Sequence, residues 1–423
     1  MPIPARLAKL LIRAGVVGLH PGVRRLMGDG LAFLKYYSSR VLEAPNEDLA
    51  RTRAAMEATE SAIDLCLGAP PLIPELRERL LSLIEEAHGY PPTPGLPFLR
   101  MAFAEKLQRE NGLAADPEND LLVVNGVGQG LGLFLDTFLD PGESIALFDP
   151  CYFMYRLASQ HRRFKLRFVP TLVDHGCTRF DESVLAKVLK GSRALLINAP
   201  NNPTGGVFKT EDFERIAFWC KRRDVLIFSD EVYEHFQYGE RPATFAVLPD
   251  AARRTISAFS FSKTYGMAAY RVGVIVGDRW LVRPMIVSML ASAPFVPTVV
   301  QRLATTALSI PIEALERRRE EFRRRRDRAC SILQRWGRTI DPPGGAFFCW
   351  LPIHNLSMTA NDLCLELRKR TGVAVMPGES LAADGEHYIR LSFAEAPGAW
   401  EEGFQRVARA LAEWHARPSA KAA

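Results

Sequence analysis

Between Leu121 and Val276 short apolar runs alternate with segments of helical periodicity, and this alternation constrains the fold more than any other feature of the chain. The runs are Leu121 to Val124, Ser144 to Phe148, Ala194 to Asn198, Val225 to Phe228, Thr255 to Phe259 and Val272 to Val276. They read as buried strands separated by helical connections, which implies a mainly parallel sheet wrapped by helices. With 423 residues, 48% of them hydrophobic, the chain can bury a core of that size and has length for two or three domains.

Outside this region the signals are different. The charge run from Arg317 to Arg328 includes Glu320, Glu321 and Asp327, so it reads as the solvated face of a long helix rather than a nucleic-acid patch. The first 28 residues are basic and acid-free, with Arg6, Lys9, Arg13, Arg24 and Arg25 among Leu, Ile and Val. They resemble a weak transit peptide or interfacial helix, but an N-terminal arm packed on the body is the favoured reading. Pro21, Gly22, Gly28 and Gly30 interrupt that arm, and Ala44-Pro45-Asn46 opens a helical stretch from Glu47 to Ser61.

The net charge of +6 is spread along the chain and is weak support for a nucleic-acid or membrane partner; a small anionic ligand explains it equally well. No run approaches the roughly 20 apolar residues of a membrane-spanning helix. The seven cysteines form no CxxC pair, so neither a disulfide framework nor a zinc site is indicated, and a reducing, cytoplasmic compartment is expected.

Chemistry-bearing residues cluster where strands end. Gly126-Val127-Gly128-Gln129-Gly130 follows a strand and precedes a helix, a place where backbone N–H groups cradle phosphate. Asp149, near the end of the next strand, keeps a nicotinamide dehydrogenase open as a reading, although Pro150-Cys151-Tyr152 follows at once. Asn202-Pro203-Thr204-Gly205 forms a tight turn after the strand ending at Asn198. Asp230, with Tyr233 three residues on, follows another strand. Lys263 closes Ser260-Phe261-Ser262-Lys263 after a buried strand, with Arg271 eight residues later. A lysine there needs a partner or a covalent use.

In order and spacing this set resembles the fold-type I, class I/II aminotransferases, enzymes that use pyridoxal 5′-phosphate and include aspartate aminotransferase. Ile63 to Pro70, Tyr90 to Gly95, Pro150 to Tyr152, Pro343 to Gly345 and Ile389 to Ala394 extend the likeness over about residues 62 to 415. The resemblance implies an α/β fold: a large domain with a mainly parallel seven-stranded sheet sandwiched by helices, plus a smaller α+β domain from the chain ends. The corresponding division is an arm over 1–60, a large cofactor domain over 61–308 and a small domain over 309–423.

The same resemblance implies roles. Lys263 holds the cofactor as a Schiff base and moves the substrate's Cα proton. Asp230 pairs with the pyridine nitrogen, Tyr233 and Asn202 bond the ring oxygen, and Tyr152 stacks on the ring. Val127, Gly128, Ser260, Ser262 and Arg271 hold the phosphate, joined by Tyr90 from the partner of a homodimer. Arg390, with Gly68 nearby, receives the substrate carboxylate. Gly128 stands where many relatives carry Ser or Thr, which predicts a weaker phosphate grip, and Ala269 stands where glycine is frequent. Amino-group transfer between an α-amino acid and a 2-oxo acid is the expected reaction. Elimination, decarboxylation or oxidation on the same scaffold is the alternative, and a cofactor-sensing regulator is disfavoured because residues 1–60 offer no recognition helix.

Overall fold

The computed structural model describes residues 63–415, apart from positions 67, 78, 80–88, 241–243, 355 and 357. The expected arm over 1–60, with the helical stretch from Glu47, lies outside the described residues.

The main sheet is built from β2 (Leu121–Val124), β3 (Ser144–Asp149), β4 (Lys165–Asp174), β5 (Cys177–Phe180), β6 (Ala194–Asn198), β7 (Leu226–Asp230), β8 (Thr255–Ser260) and β9 (Gly273–Gly277). Their spatial order is β2-β9-β8-β7-β6-β3-β4-β5. Strands β4, β3, β6, β7 and β8 run parallel, while β9 lies antiparallel between β8 and β2. The sheet thus has eight strands where seven were expected, because β5 folds back on β4 as an antiparallel hairpin at the edge. Strand β4 carries Pro170 and charged residues and is mostly half-exposed, so it lacks the apolar run that marks the inner strands. By contrast, all residues of β2 and β6 are buried, as expected of strands covered on both faces.

Helices α1 (Pro97–Lys106), α2 (Val127–Phe138), α3 (Phe153–His161), α4 (Glu182–Leu189) and α5 (Thr210–Arg223) precede the four-residue turn α6 (Phe261–Thr264). Local chemistry sets their ends. The Asp181 carboxylate accepts from the Ser183 and Val184 N–H groups at the start of α4, and Asp224 closes α5 in the left-handed region. Phe134, Phe228, Ile256 and Val274 belong to one buried cluster against the sheet. Phe148, Leu195, Phe213, Ile216 and Ile227 form another. Truncating one such residue, Leu195→Ala for example, removes about 2–5 kcal/mol of stability.

After α7 (Arg279–Leu290) and α8 (Thr298–Leu308), α9 (Ile312–Arg335) buries Leu315, Phe322, Arg325, Ala329, Ile332 and Leu333. Its other face carries the charge run, with Arg323 2.7 Å from Glu320. A second layer follows: β10 (Phe348–Pro352), α10 (Ala360–Thr371), β12 (Met376–Pro377), β13 (Tyr388–Ser392) and α11 (Ala399–His415). β13 pairs antiparallel with both β10 and β12. The first described strand, β1 (Ile63–Asp64), pairs with β11 (Val373–Ala374), and Leu65 is buried with Phe347, Leu391 and Phe404. The start of the described chain therefore packs with its C-terminal layer. Among the described residues no helix is long and apolar enough to cross a membrane.

Candidate active site

Strands β2, β3, β6, β7 and β8 point the same way, so the segments after their C-terminal ends meet at one edge of the sheet. A cavity of about 620 Å³ opens there. Every residue expected at the site lines it except Tyr90: Gly68, Val127, Gly128, Tyr152, Asn202, Asp230, Tyr233, Ser260, Ser262, Lys263, Arg271 and Arg390. Tyr90 is 89% exposed and stacks on Phe295 at 5.1 Å.

The N-terminus of α2 has no side-chain cap, and its entry residue Gly126 sits at φ +77°. A helix start leaves its first N–H groups without intrahelical acceptors, which suits an anion. Arg271, itself at φ +54°, packs its guanidinium against Gly126 so closely that a methyl group there would collide with it. Its Nη1 donates to the Ala268 carbonyl at 3.0 Å. The Ser260 hydroxyl accepts from the Ser262 N–H at 3.0 Å and starts α6. At Gly128 a Cβ would meet nothing within 4 Å, so the space that a hydroxyl side chain would take is open.

Lys263 Nζ donates to the Gly68 carbonyl at 2.6 Å. Burial and the charge of Arg390 push its pKa down to about 8, against the opposing pull of Asp230. The amine is still mostly protonated at pH 7, but its neutral fraction is far larger than that of an ordinary lysine. Burial raises Asp230 to about 6, and hydrogen bonds from Tyr155 and the Val232 N–H oppose the rise. Asn198 holds the backbone there, donating to the Asp230 carbonyl at 3.0 Å and accepting from the Asn202 N–H at 2.8 Å.

Arg390 is buried on β13, with its guanidinium 4.3 Å from the Phe348 ring centre. Nη1 donates to Asn202 Oδ1 at 2.6 Å and Nη2 to the Cys66 carbonyl. Its Nε, also buried, has no partner. Asn202 shares a second hydrogen bond with the Tyr233 hydroxyl. The Asn202–Gly205 turn is braced from outside by Pro343–Gly345: the Gly345 N–H donates to the Gly205 carbonyl at 2.8 Å.

Tyr155 escaped the sequence reading. It lies three residues after Tyr152 on α3, the two rings perpendicular at 5.6 Å, and its hydroxyl bonds the Asp230 carboxylate. The i, i+3 spacing of the two tyrosines was the available signal. Cys151 contributes through its backbone, whose N–H donates to the Leu381 carbonyl at 2.8 Å. Asp149 does not have the free carboxylate that a dinucleotide ribose would require. It is bonded by Arg156 and accepts from the Ala383 N–H at 3.1 Å.

Comparison with known proteins decides the family. The Aminotransferase class I and II profile matches residues 60–407. The chain belongs to the class I and II aminotransferases. This aminotransferase is 33% identical to an aspartate aminotransferase of Pyrococcus abyssi over 77% of its own length and 84% of that protein's. It is 32% identical to aromatic-amino-acid aminotransferase 2 of Thermococcus litoralis, over 84% of this chain and 93% of the relative. Among solved structures, an aromatic aminotransferase from Pyrococcus horikoshii matches with a TM-score of 0.78 at 33% identity, covering 86% of this chain and 99% of that one.

Enzymes of this family use pyridoxal 5′-phosphate, and the residues present fit that group. An uncapped helix N-terminus with an arginine pressed against its entry glycine suits the phosphate dianion. A buried carboxylate in the same cavity suits a protonated ring nitrogen, and a buried lysine with a lowered pKa suits a carbonyl.

Proposed function

We propose that this aminotransferase moves the amino group between an α-amino acid and a 2-oxo acid in this cavity, with Lys263 as the group that holds the cofactor and shuttles the substrate proton. The observation that carries the assignment is the convergence of the Lys263 amine, the Asp230 carboxylate and the Arg390 guanidinium on one cavity. Pyridoxal phosphate, when bound, supplies an electron-withdrawing ring that accepts the electron pair released at the substrate's Cα.

The chain's own residues do the rest. Val127 and Gly128 N–H groups, Ser260, Ser262 and Arg271 would grip the phosphate. Asp230 would hold the ring nitrogen protonated, Tyr233 and Asn202 would bond the ring oxygen, and Tyr152 would lie against the ring face. Arg390, with the Gly68 backbone nearby, would receive the substrate's α-carboxylate; its partnerless Nε supports this role. Lys263, with a pKa lowered to about 8, is partly neutral near pH 7 and can take the Cα proton as a general base.

A single half-reaction tests this reading. Loaded enzyme mixed with each member of an amino-acid panel, without oxo acid, should release about one oxo acid per subunit and no ammonia. Adding a second oxo acid should then regenerate the starting spectrum. Ammonia or carbon dioxide in the first step would instead indicate elimination or decarboxylation. Lys263→Ala should abolish both halves. The relatives are named for aspartate and for aromatic amino acids, so the panel should include both classes.

The division into an arm over 1–60, a large domain over 61–308 and a small one over 309–423 is part of this proposal, supported by a buried cluster for the large sheet and another for the C-terminal layer, with the correction that Ile63–Leu65 pack with the C-terminal layer. So is a homodimer in which Tyr90 reaches the partner's phosphate; the exposure of Tyr90 outside its own cavity supports it. The hybrid dimer of Lys263→Ala with a disabling Tyr90 variant should have about half of native activity, since one of its two sites is intact, and a random mixture of the two variants about a quarter. A strictly monomeric active protein would refute it. A cytoplasmic location is proposed because the seven cysteines form no disulfide, and cell fractionation tests it.

A further inference from the structure

Outside the cavity, a second, largely covered polar group joins the segments that carry Lys263 and Tyr233. Thr264, the residue after Lys263, places Oγ1 3.1 Å from His235 Nδ1. His235, two residues after Tyr233, places Nε2 3.0 Å from Glu110 Oε2. Glu110 stands on a π-helical turn, Leu107–Asn111, that continues α1 and widens the backbone there. Lys106 bonds both Glu234 oxygens at 2.6 Å and lies 3.7 Å from Glu110. Asn111 bonds Lys106 at 2.9 Å and Glu234 at 3.1 Å. The His235 and Glu110 side chains are 10% and 7% exposed and Thr264 is 2% exposed.

None of Lys106, Glu110, Glu234, His235 or Thr264 lines the cofactor cavity. Glu110, Glu234 and His235 line a second pocket of about 380 Å³, and His235 Nδ1 also lies 3.7 Å from Glu234 Oε1. Apolar side chains at these largely covered positions would avoid the cost of dehydration, so the cluster's value lies in holding something in one place. Burial opposes ionisation of Glu110, but the His235 hydrogen bond and the Lys106 charge outweigh it and keep the carboxyl below its usual range. An ionised carboxylate only accepts, so His235 Nε2–H donates to Glu110 and the ring orientation is set, with Nδ1 facing the Thr264 hydroxyl. Helix α6 has only four residues and little stability of its own, so its side-chain tether to His235 matters.

We propose that His235 is a positioning residue: through Thr264 it locks the turn carrying Lys263 to the loop carrying Tyr233, with Glu110 fixing its ring, so that the lysine amine keeps its place while it moves protons. This rests on the Lys263 assignment above. Lys263→Ala tests that assignment separately: full turnover in Lys263→Ala would defeat it, whereas the variants below leave Lys263 in place and report only on the tether.

The test is a double-mutant cycle on the loaded enzyme with His235→Phe and Thr264→Val. Each single variant should lower kcat about tenfold or more with amino-acid KM within about twofold, because the α-carboxylate site is untouched. The double variant should be no slower than the slower single by more than about twofold, since both remove one link. His235→Gln, whose amide can still meet Thr264, and Thr264→Ser, which keeps the hydroxyl, should recover most of kcat. As a readout other than turnover, the pH midpoint of the bound cofactor's visible absorbance should move in His235→Phe and return in His235→Gln. Multiplicative losses in the double variant, a parental Thr264→Val, or losses confined to KM would overturn the proposal. If His235→Phe does not fold, the contrast between Thr264→Val and Thr264→Ser decides alone.

Discussion

The Tyr155 hydroxyl donates to Oδ2 of Asp230, a carboxylate buried beneath the cavity and 75 positions away in sequence. The bond stabilises the ionised acid against the dehydration that raises its pKa to about 6. Tyr155→Phe keeps the ring and removes the bond, at a cost of about 1–3 kcal/mol to the charged form. The expected result is a kcat about 10- to 100-fold lower with the fold intact, read from steady-state kinetics beside a circular dichroism melt. Unchanged kcat would mean that Asp230 needs no second partner.

The phosphate cradle makes opposite predictions for two glycines. Gly126→Ala puts a methyl group into the Arg271 guanidinium at a backbone angle of +77°, so cofactor affinity should fall about tenfold or more in a spectrophotometric titration. Gly128→Ser enters open space and adds a hydroxyl at the helix start. It should leave stability unchanged and tighten cofactor binding by about 1 kcal/mol. A loss of affinity in Gly128→Ser would contradict the geometry of the cradle.

Arg390→Lys retains the positive charge but not the planar fork that spans Asn202 and the Cys66 carbonyl. Amino-acid KM should rise about tenfold or more while cofactor binding stays parental, and amines without a carboxylate should react as before. Equal losses for both substrate types would reduce Arg390 to a structural brace.

In cofactor-free enzyme, Asp230 titrates higher folded than unfolded, from an ordinary value of 3.8 to about 6. The folded state therefore holds the proton more tightly between those values. Its contribution to stability is present in full below pH ~4 and is lost as pH rises through ~6, on the order of 1–3 kcal/mol. The stability difference between native protein and Asp230→Asn, from urea melts at pH 4 to 7, should shrink across that window in favour of the variant. A flat difference would show that Asp230 is not the group titrating.

Strands β2 and β6 could be read from sequence to the residue because burial on both faces leaves an uninterrupted apolar run, a purely local signature. The positions of Asp230, Asn202 and Lys263 were equally legible, since in an open parallel sheet chemistry collects at and just after strand ends, and Arg271 reaches the same edge because it precedes the antiparallel β9. Strand β5 and the half-exposed β4 were not, because an edge hairpin buries too little to leave that signature. Tyr155, His235 and Glu110 read as ordinary helix and loop residues.

What the sequence alone determined, then, is which residue types stand at which strand ends, and through them the family and its cofactor. Which of those residues touch was decided only by the tertiary structure. Arg390 meets Asn202 across 188 positions, His235 meets Glu110 across 125, and Tyr155 meets Asp230 across 75. Spacing along a chain encodes periodicity and caps, but such long-range pairs depend on strand order and on how the second layer docks, which a local pattern does not contain.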